Sequence, residues 1–128
     1  MVFALGCFPD DPRTVPPLLR LTQDADDHVR DWATFGLGVQ GNIDSDEIRE
    51  ALVGLLEDPD EELREEAMVG LGKRKDQRVL SMLLARLERP EISVRVIEVA
   101  YLMLEMDNER EGWKGADYAH ALRQRFSR

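Results

Sequence analysis

The chain contains little of what disulfide-bonded, membrane-spanning or catalytic proteins usually rely on. Its 128 residues include one cysteine, two histidines, two tryptophans, two tyrosines and four phenylalanines. The single thiol, Cys7, excludes an internal disulfide and is typical of a reducing compartment. No apolar run approaches the length of a membrane-spanning helix, and the N-terminus lacks the pattern of a signal peptide. We therefore expect a cytoplasmic protein with no membrane partner.

Basic residues are also scarce. The 17 Lys and Arg residues stand against 26 Asp and Glu, which gives a net charge of −9 and an isoelectric point near 4.7. Nucleic-acid binding needs a basic face to neutralise phosphates. Here the cations are scattered, apart from residues 73–75, which suit a helix C-terminus, and the C-terminal arginines. We expect no nucleic acid as a partner, whereas the acidic balance suits solubility or a basic partner.

What the chain does have is an internal repeat. Residues 58–72 have a degenerate copy at 24–38, which is an offset of 34, and residues 59–64 have a copy at 90–95, which is an offset of 31. A period in the low thirties is typical of stacked supersecondary units, each of which buries its apolar face against its neighbours. Such stacks usually hold partners and seldom do chemistry.

Each copy predicts two helices joined by a tight acidic turn. Thr14 is the expected N-cap of the first helix, and Asp44 with Glu47 forms a capping box for a later one. No segment alternates apolar and polar residues with a period of two, so strands are not expected. The prediction is one all-α domain over residues 1–128, with a partial unit at 1–8, helix pairs at about 14–38, 45–72 and 76–106, and a closing helix at about 116–126.

The repeated core Val/Leu-Arg-x-x-Ala-x-x-Gly-Leu-Gly, at residues 29–38 and 63–72, resembles HEAT repeats. It resembles in particular the short HEAT-like repeat typical of phycobilin lyases and many bacterial scaffold proteins. In a weaker copy that starts at residue 94, Glu98 replaces the small residue and Met103 the glycine. The resemblance covers about residues 3–106 and implies a right-handed α-α superhelix, that is, a short α-solenoid. We expect the motif's glycine to leave the helix in a left-handed conformation.

An aspartate stands six residues before the motif's arginine in two copies, which gives the pairs Asp24–Arg30 and Asp58–Arg64. In the family that the chain resembles, these residues form a charge ladder between neighbouring units. The third copy has Arg89 in place of the aspartate, so Arg95 is expected to lack that partner. This departure indicates a terminal unit, because the last unit of an array must cover exposed core.

The second helix of each HEAT-like unit lines the concave face, so the resemblance also predicts a binding surface. Aligning the copies gives a face that runs from an aromatic pair through a carboxylate pair to an aliphatic patch, formed by Asp31, Trp32, Phe35, Glu65, Glu66, Val69, Val96 and Ile97. Exposed aromatic side chains beside charge are common interaction anchors. The alternative is that Trp32 and Phe35 cover the face left open by a missing upstream unit or pack between units, since aromatics at helical spacing are more often core than site.

The other candidate residues favour structural roles. The acidic turns lack the glycine and distal glutamate of a calcium-binding loop, and at helix N-termini they favour capping. Neither His28 nor His120 is followed by the glutamate that iron-binding HEAT-like hydroxylases use. Cys7 has no sequence partner for nucleophilic catalysis. We therefore predict no catalytic residue, no cofactor and no metal site.

Two functions of different classes remain open. The leading hypothesis is a non-catalytic scaffold, a segment of a longer array, that binds another protein, preferably a basic or amphipathic helical segment, in its concave groove. The alternative is a phycobilin lyase-like accessory or enzyme subunit that holds a small apolar ligand in the same groove. Nucleic-acid binding, as in HEAT-like DNA glycosylases, is disfavoured by charge. The oligomeric state does not follow from the sequence.

Overall fold

The computed structural model describes residues 11–106 and 112–126, and over these residues the regular structure is entirely helical. The predicted partial unit at 1–8, with Cys7, lies outside the described residues. The α-helices are α1 Val15–Leu21, α2 Asp27–Thr34, α3 Asp46–Leu55, α4 Glu61–Lys73, α5 Leu80–Leu87, α6 Val94–Met103 and α7 Gly115–Phe126. A 3₁₀ turn precedes α1 and another precedes α5, and α2 continues directly into the π-helix Phe35–Gln40.

The helices form three consecutive pairs, α1/α2, α3/α4 and α5/α6, and α7 packs against both members of the last pair. The second helices pack side by side in chain order, with α4 between α2 and α6. Among the described residues the first helices make few contacts with one another. The second helices therefore form one continuous packed layer. This arrangement confirms the predicted all-α solenoid.

Short polar side chains begin most of the helices, although one predicted cap is wrong. Ser45, and not Asp44, caps α3, because its hydroxyl accepts the Ile48 N–H at 3.2 Å. Thr14 occupies the predicted N-cap position of α1 but makes no side-chain cap hydrogen bond, because the backbone groups in reach belong to two prolines, which have no N–H to donate. The side chains that do cap described helices or 3₁₀ turns are Asp11, Asp26, Ser45, Asp60, Asp76 and Ser93.

The repeated glycines serve close packing, and the predicted left-handed exits at Gly38 and Gly72 are wrong. A Cβ on Gly70 would lie 3.2 Å from the Cα of Gly38. The backbone of α4 therefore nearly touches the backbone of the π-helix that continues α2. The left-handed residue after α4 is Lys75, with φ of 56°. It forms a Schellman-type helix end, in which the Asp76 N–H donates to the Leu71 carbonyl.

The buried side chain of Arg74 connects the second unit to the first through hydrogen bonds. The guanidinium of Arg74, at the end of α4, donates to carbonyl oxygens at the end of the neighbouring second helix and at the end of its own. Its acceptors are the carbonyls of Gly38 at 2.8 Å, Gly70 at 2.9 Å, Leu37 at 3.1 Å and Ile43 at 2.6 Å. Helix C-termini leave such carbonyls without partners, and one arginine satisfies them in both units.

Candidate protein-binding face

Trp32 lies on α2 and Phe35 begins the π-helix that continues it, and both side chains are exposed. Their exposed fractions are 45% and 37%, whereas Ala33 and Thr34 between them are fully buried. Residues three apart on a helix are surface neighbours, so the two rings share one face. The helix is thus anchored by small buried side chains and turns its two aromatic rings outward. Within the described residues, these two rings are therefore not packed between units.

Three of the predicted residues on α4 and α6 are covered instead. Glu66, Val69 and Val96 are only 5%, 3% and 3% exposed. The reason is that α4 lies between two neighbouring helices, and its equivalents of the aromatic pair are packed at those contacts. This corrects the predicted continuous groove, since a partner cannot reach these three side chains.

Glu65, the other predicted carboxylate, joins helices together. Its Oε1 accepts the hydroxyl of Ser93 at 2.9 Å, and its Oε2 accepts a hydrogen bond from the buried Arg86 at 3.3 Å. It therefore connects α4 to α5 and to the N-cap of α6. Ile97 is half-buried and contributes to a separate groove described below.

Asp31 and Glu66 form an acid pair between α2 and α4. Burial is the main cause that raises the pKa of Glu66 to about 9, followed by its hydrogen bond to Asp31 and the charge there. Arg95 of α6 opposes this rise weakly from 3.7 Å. Asp31 Oδ1 and Glu66 Oε2 are buried, and neither has another donor among the described residues. A neutral Glu66 that donates its proton to Asp31 satisfies both oxygens.

The predicted ladder residues meet across the first joint. Arg30 donates from Nε to Asp58 Oδ2 at 2.9 Å and from Nη2 to Asp58 Oδ1 at 3.3 Å. Its third nitrogen donates to the backbone carbonyls of Asp24 and Ala25. The Asp24 carboxylate instead accepts the N–H of Asp26. The side-chain pair is therefore Arg30 with the aspartate of the next unit.

Arg64 repeats only half of this pattern. It donates to the carbonyls of Asp58 and Pro59, as Arg30 does to its own turn. Its nearest described carboxylate is Glu61, at 3.8 Å. Arg89, which stands in place of the aspartate, also turns to Glu61, at 3.0 Å. The second rung of the ladder is thus replaced by a shared glutamate.

A groove beside α7 was not anticipated from the sequence. This α7 groove has a volume of about 670 Å³ and lies between α7 and the turn that joins α5 to α6. Its apolar lining includes Leu87, Ile92, Ile97 and Trp113, and the charged residues of its described lining are Glu88, Arg89, Lys114 and Arg123. Trp113 is 38% exposed. It falls outside the repeat, in a stretch whose sequence reads as a loop, and so it carried no signal.

The first turn of α2 holds a cluster of side chains that could ligate a metal. The side chains of Asp26, Asp27 and His28 lie within 4.8 Å of one another, but all three are exposed, and Asp26 is already the N-cap of α2. They form the N-terminal turn of a helix and carry no argument for a metal.

Within residues 11–106 and 112–126, every helix is too short or too polar to cross a membrane.

Comparison with known proteins agrees with this architecture. A family profile described as HEAT repeats matches residues 15–103. Protein YibA of Escherichia coli K12 is 40% identical over 91 residues, which are 71% of this chain and 32% of the relative, and YibA of strain O157:H7 gives the same values. The X-ray structure of E. coli YibA superposes with a TM-score of 0.73 at 29% identity, covering 94% of this chain and 45% of that one. The chain thus spans about a third of the length of these curated relatives. It belongs to the HEAT-repeat family.

Proposed function

We propose that this chain is a non-catalytic scaffold segment of a longer array that binds another protein through the aromatic face of α2. The observation that carries the proposal is the exposure of Trp32 and Phe35 side by side on a helix whose other residues anchor it. Aromatic side chains are the most frequent energetic anchors of protein interfaces. Each ring is already more than half covered, so covering the remainder would contribute about 1 kcal/mol from apolar burial. The single cysteine supports a cytoplasmic location for this interaction.

The chemistry of the surroundings favours a basic or amphipathic helical partner. Asp27 and Asp31 lie on the same helix as the two rings, and the chain as a whole carries a net charge of −9. Complementary charge accelerates encounter and fixes orientation more than it adds affinity. A partner helix with an apolar stripe for the rings and flanking Lys or Arg fits this face. The same charge disfavours nucleic acid.

The first test uses tryptophan fluorescence. In a Trp113→Phe background Trp32 is the only tryptophan, and it reports directly on the proposed face. The probes are a synthetic amphipathic helix built from leucine and lysine and a matched helix built from leucine and glutamate. We expect a blue shift with the basic helix and at least tenfold weaker binding of the acidic one.

The matched variants are Phe35→Ala, which removes one proposed anchor, and Val94→Ala, which removes an exposed apolar side chain at 84% exposure on another helix. Phe35→Ala should raise the Kd at least tenfold, and Val94→Ala should leave it unchanged. Equal affinity for both helices, or equal effects of the two variants, would contradict the proposal.

A further inference from the structure

We propose that the α7 groove binds an acidic peptide segment of a partner protein, with one apolar side chain against Trp113 and carboxylates at Arg89, Lys114 and Arg123. This site goes beyond the aromatic face of α2, since it lies on other helices and selects the opposite charge. Its carrying observation is an apolar groove with a cationic lining on a chain of net charge −9.

The groove owes its shape to a close backbone contact. A Cβ on Gly115 would overlap with the carbonyl oxygen of Leu87 and lie 2.5 Å from Cδ1 of Ile92. The first residue of α7 therefore rests directly on the end of α5 and the following turn. Beside this contact Leu87 is buried, whereas Ile92, Ile97 and Trp113 remain partly exposed. The volume of about 670 Å³ lies within the range of about 300–1,000 Å³ that is usual for ligand sites.

Trp113 is held in place before any partner arrives. Its ring meets the buried ring of Tyr118 edge to face, with the centroids 5.0 Å apart and the planes at 72°. This geometry is favourable for aromatic pairs. A ring that is already fixed loses little conformational entropy when a partner covers it. Trp113 is thus suited to act as the anchor of the site.

The charges of the lining favour an acidic occupant. Among the described residues of the lining, three cations stand against one carboxylate, Glu88, which pairs with Arg123 at 3.0 Å. Arg89 pairs with Glu61, also at 3.0 Å. All four paired side chains are more than half exposed, and exposed ion pairs contribute only about 0–1 kcal/mol. A carboxylate of a partner can therefore replace either glutamate at little cost.

The distribution of the cations favours a peptide over a single anionic group. Arg89 lies in the turn after α5, Lys114 immediately precedes α7, and Arg123 lies in the last part of α7. The cations thus come from three separate segments around one apolar lining. Carboxylates at several positions along a chain, interrupted by a large apolar side chain, match this arrangement.

The experiment selects random dodecapeptides displayed on phage against the whole chain. We expect the enriched peptides to carry aspartate or glutamate on both sides of a large apolar residue. The most enriched peptide is then labelled, and its Kd is measured by fluorescence anisotropy. Trp113→Ala and the double variant Arg89→Glu/Arg123→Glu should each raise the Kd at least tenfold. The affinity of the unchanged chain should fall as salt rises from 0.1 to 0.4 M, because the contacts are ionic.

Two controls separate this site from other causes. Arg13→Glu reverses an exposed charge away from the groove, and Trp32→Ala removes the other exposed tryptophan; both should leave the Kd unchanged. The double charge reversal keeps the contact between Trp113 and Tyr118, so lost binding with an unchanged melting temperature is not a loss of folding. Failure here leaves the fluorescence test on Trp32 unaffected.

Several results would overturn the proposal. They are enrichment of basic peptides, equal enrichment on the double charge-reversal variant, or no enrichment at all. Sedimentation equilibrium covers the remaining occupant, a second copy of this chain that inserts one of its own acidic turns. A dimer that the double variant dissociates and that the selected peptide cannot compete apart would assign the groove to self-association.

Discussion

Arg30 donates two hydrogen bonds to Asp58 across the first joint of the array, and the described residues of the second joint contain no equivalent pair. Asp58 is also the acceptor for the N–H of Asp60, so one carboxylate joins two units and orders its own turn. At the next joint the corresponding position is occupied by Arg89. This difference between two otherwise similar joints makes the contribution of the ladder measurable.

Replacing Asp58 by asparagine should destabilise the fold by about 2 kcal/mol, because a buried carboxylate that accepts charged hydrogen bonds is lost. The control is Asp24→Asn, at the equivalent position of the preceding turn. Its carboxylate accepts a backbone N–H but bonds no described arginine side chain, so a smaller loss is expected. Urea unfolding followed by circular dichroism measures both. Equal losses would show that the inter-unit pair contributes nothing.

Arg89→Asp should rebuild the missing rung. An aspartate there would stand to Arg64 as Asp58 stands to Arg30, and it would end the crowding of arginines at Glu61. We expect a gain of about 0.5–1 kcal/mol in the free energy of unfolding, the usual size of a well-placed surface pair. Arg89→Ala is the control, since it removes the cation without supplying a carboxylate. A gain no larger than that of the alanine variant would refute the rung.

Stability should fall as the pH rises, because of Glu66. Its folded pKa of about 9 lies above the usual glutamate pKa of 4.5, so the folded chain keeps a proton that the unfolded chain releases. The contribution is complete below about pH 4.5 and is lost progressively up to about pH 9. Glu66→Gln keeps a neutral donor for Asp31. The variant should be more stable than the native chain at pH 8 and should show a flatter pH dependence in urea unfolding.

Two glycines should respond in opposite directions to alanine. Gly70→Ala places a methyl group 3.2 Å from the Cα of Gly38, so the helices must separate and about 1–3 kcal/mol is lost. Gly54 lies in α3 with nothing within 4 Å of its Cβ position. Gly54→Ala should therefore stabilise the fold by about 0.5–1 kcal/mol through helix propensity. Thermal unfolding of the pair checks this, and a shared sign would contradict the packing.

The sequence predicted the features that repeat. The offsets, the acidic turns and the apolar spacing were sufficient for an all-helical stack, because each of these signals recurs in every unit. It misassigned the glycines because one residue type serves both left-handed turns and close helix contacts. Only the second use applies at Gly38 and Gly72. Local sequence does not distinguish these uses, since the contact is made with a residue about thirty positions away.

The binding face was only partly predictable for a related reason. Alignment of the copies gives equivalent positions, but exposure depends on whether a helix has one neighbour or two. Trp32 and Glu66 are equivalent in register, yet the first is exposed and the second is buried between α2 and α6. Trp113 lies outside the repeat altogether, and its role arises from the placement of α7 against an earlier turn.

The arginine that binds the carbonyls of two helices has a mechanical consequence. Turning the first unit relative to the second would break the bonds from Arg74 to Leu37, Gly38 and Ile43 together. That joint therefore resists rotation through polar contacts as well as through packing. The two rings on α2 are held at a fixed angle to the rest of the array, and a partner that touches both regions meets a stiff surface.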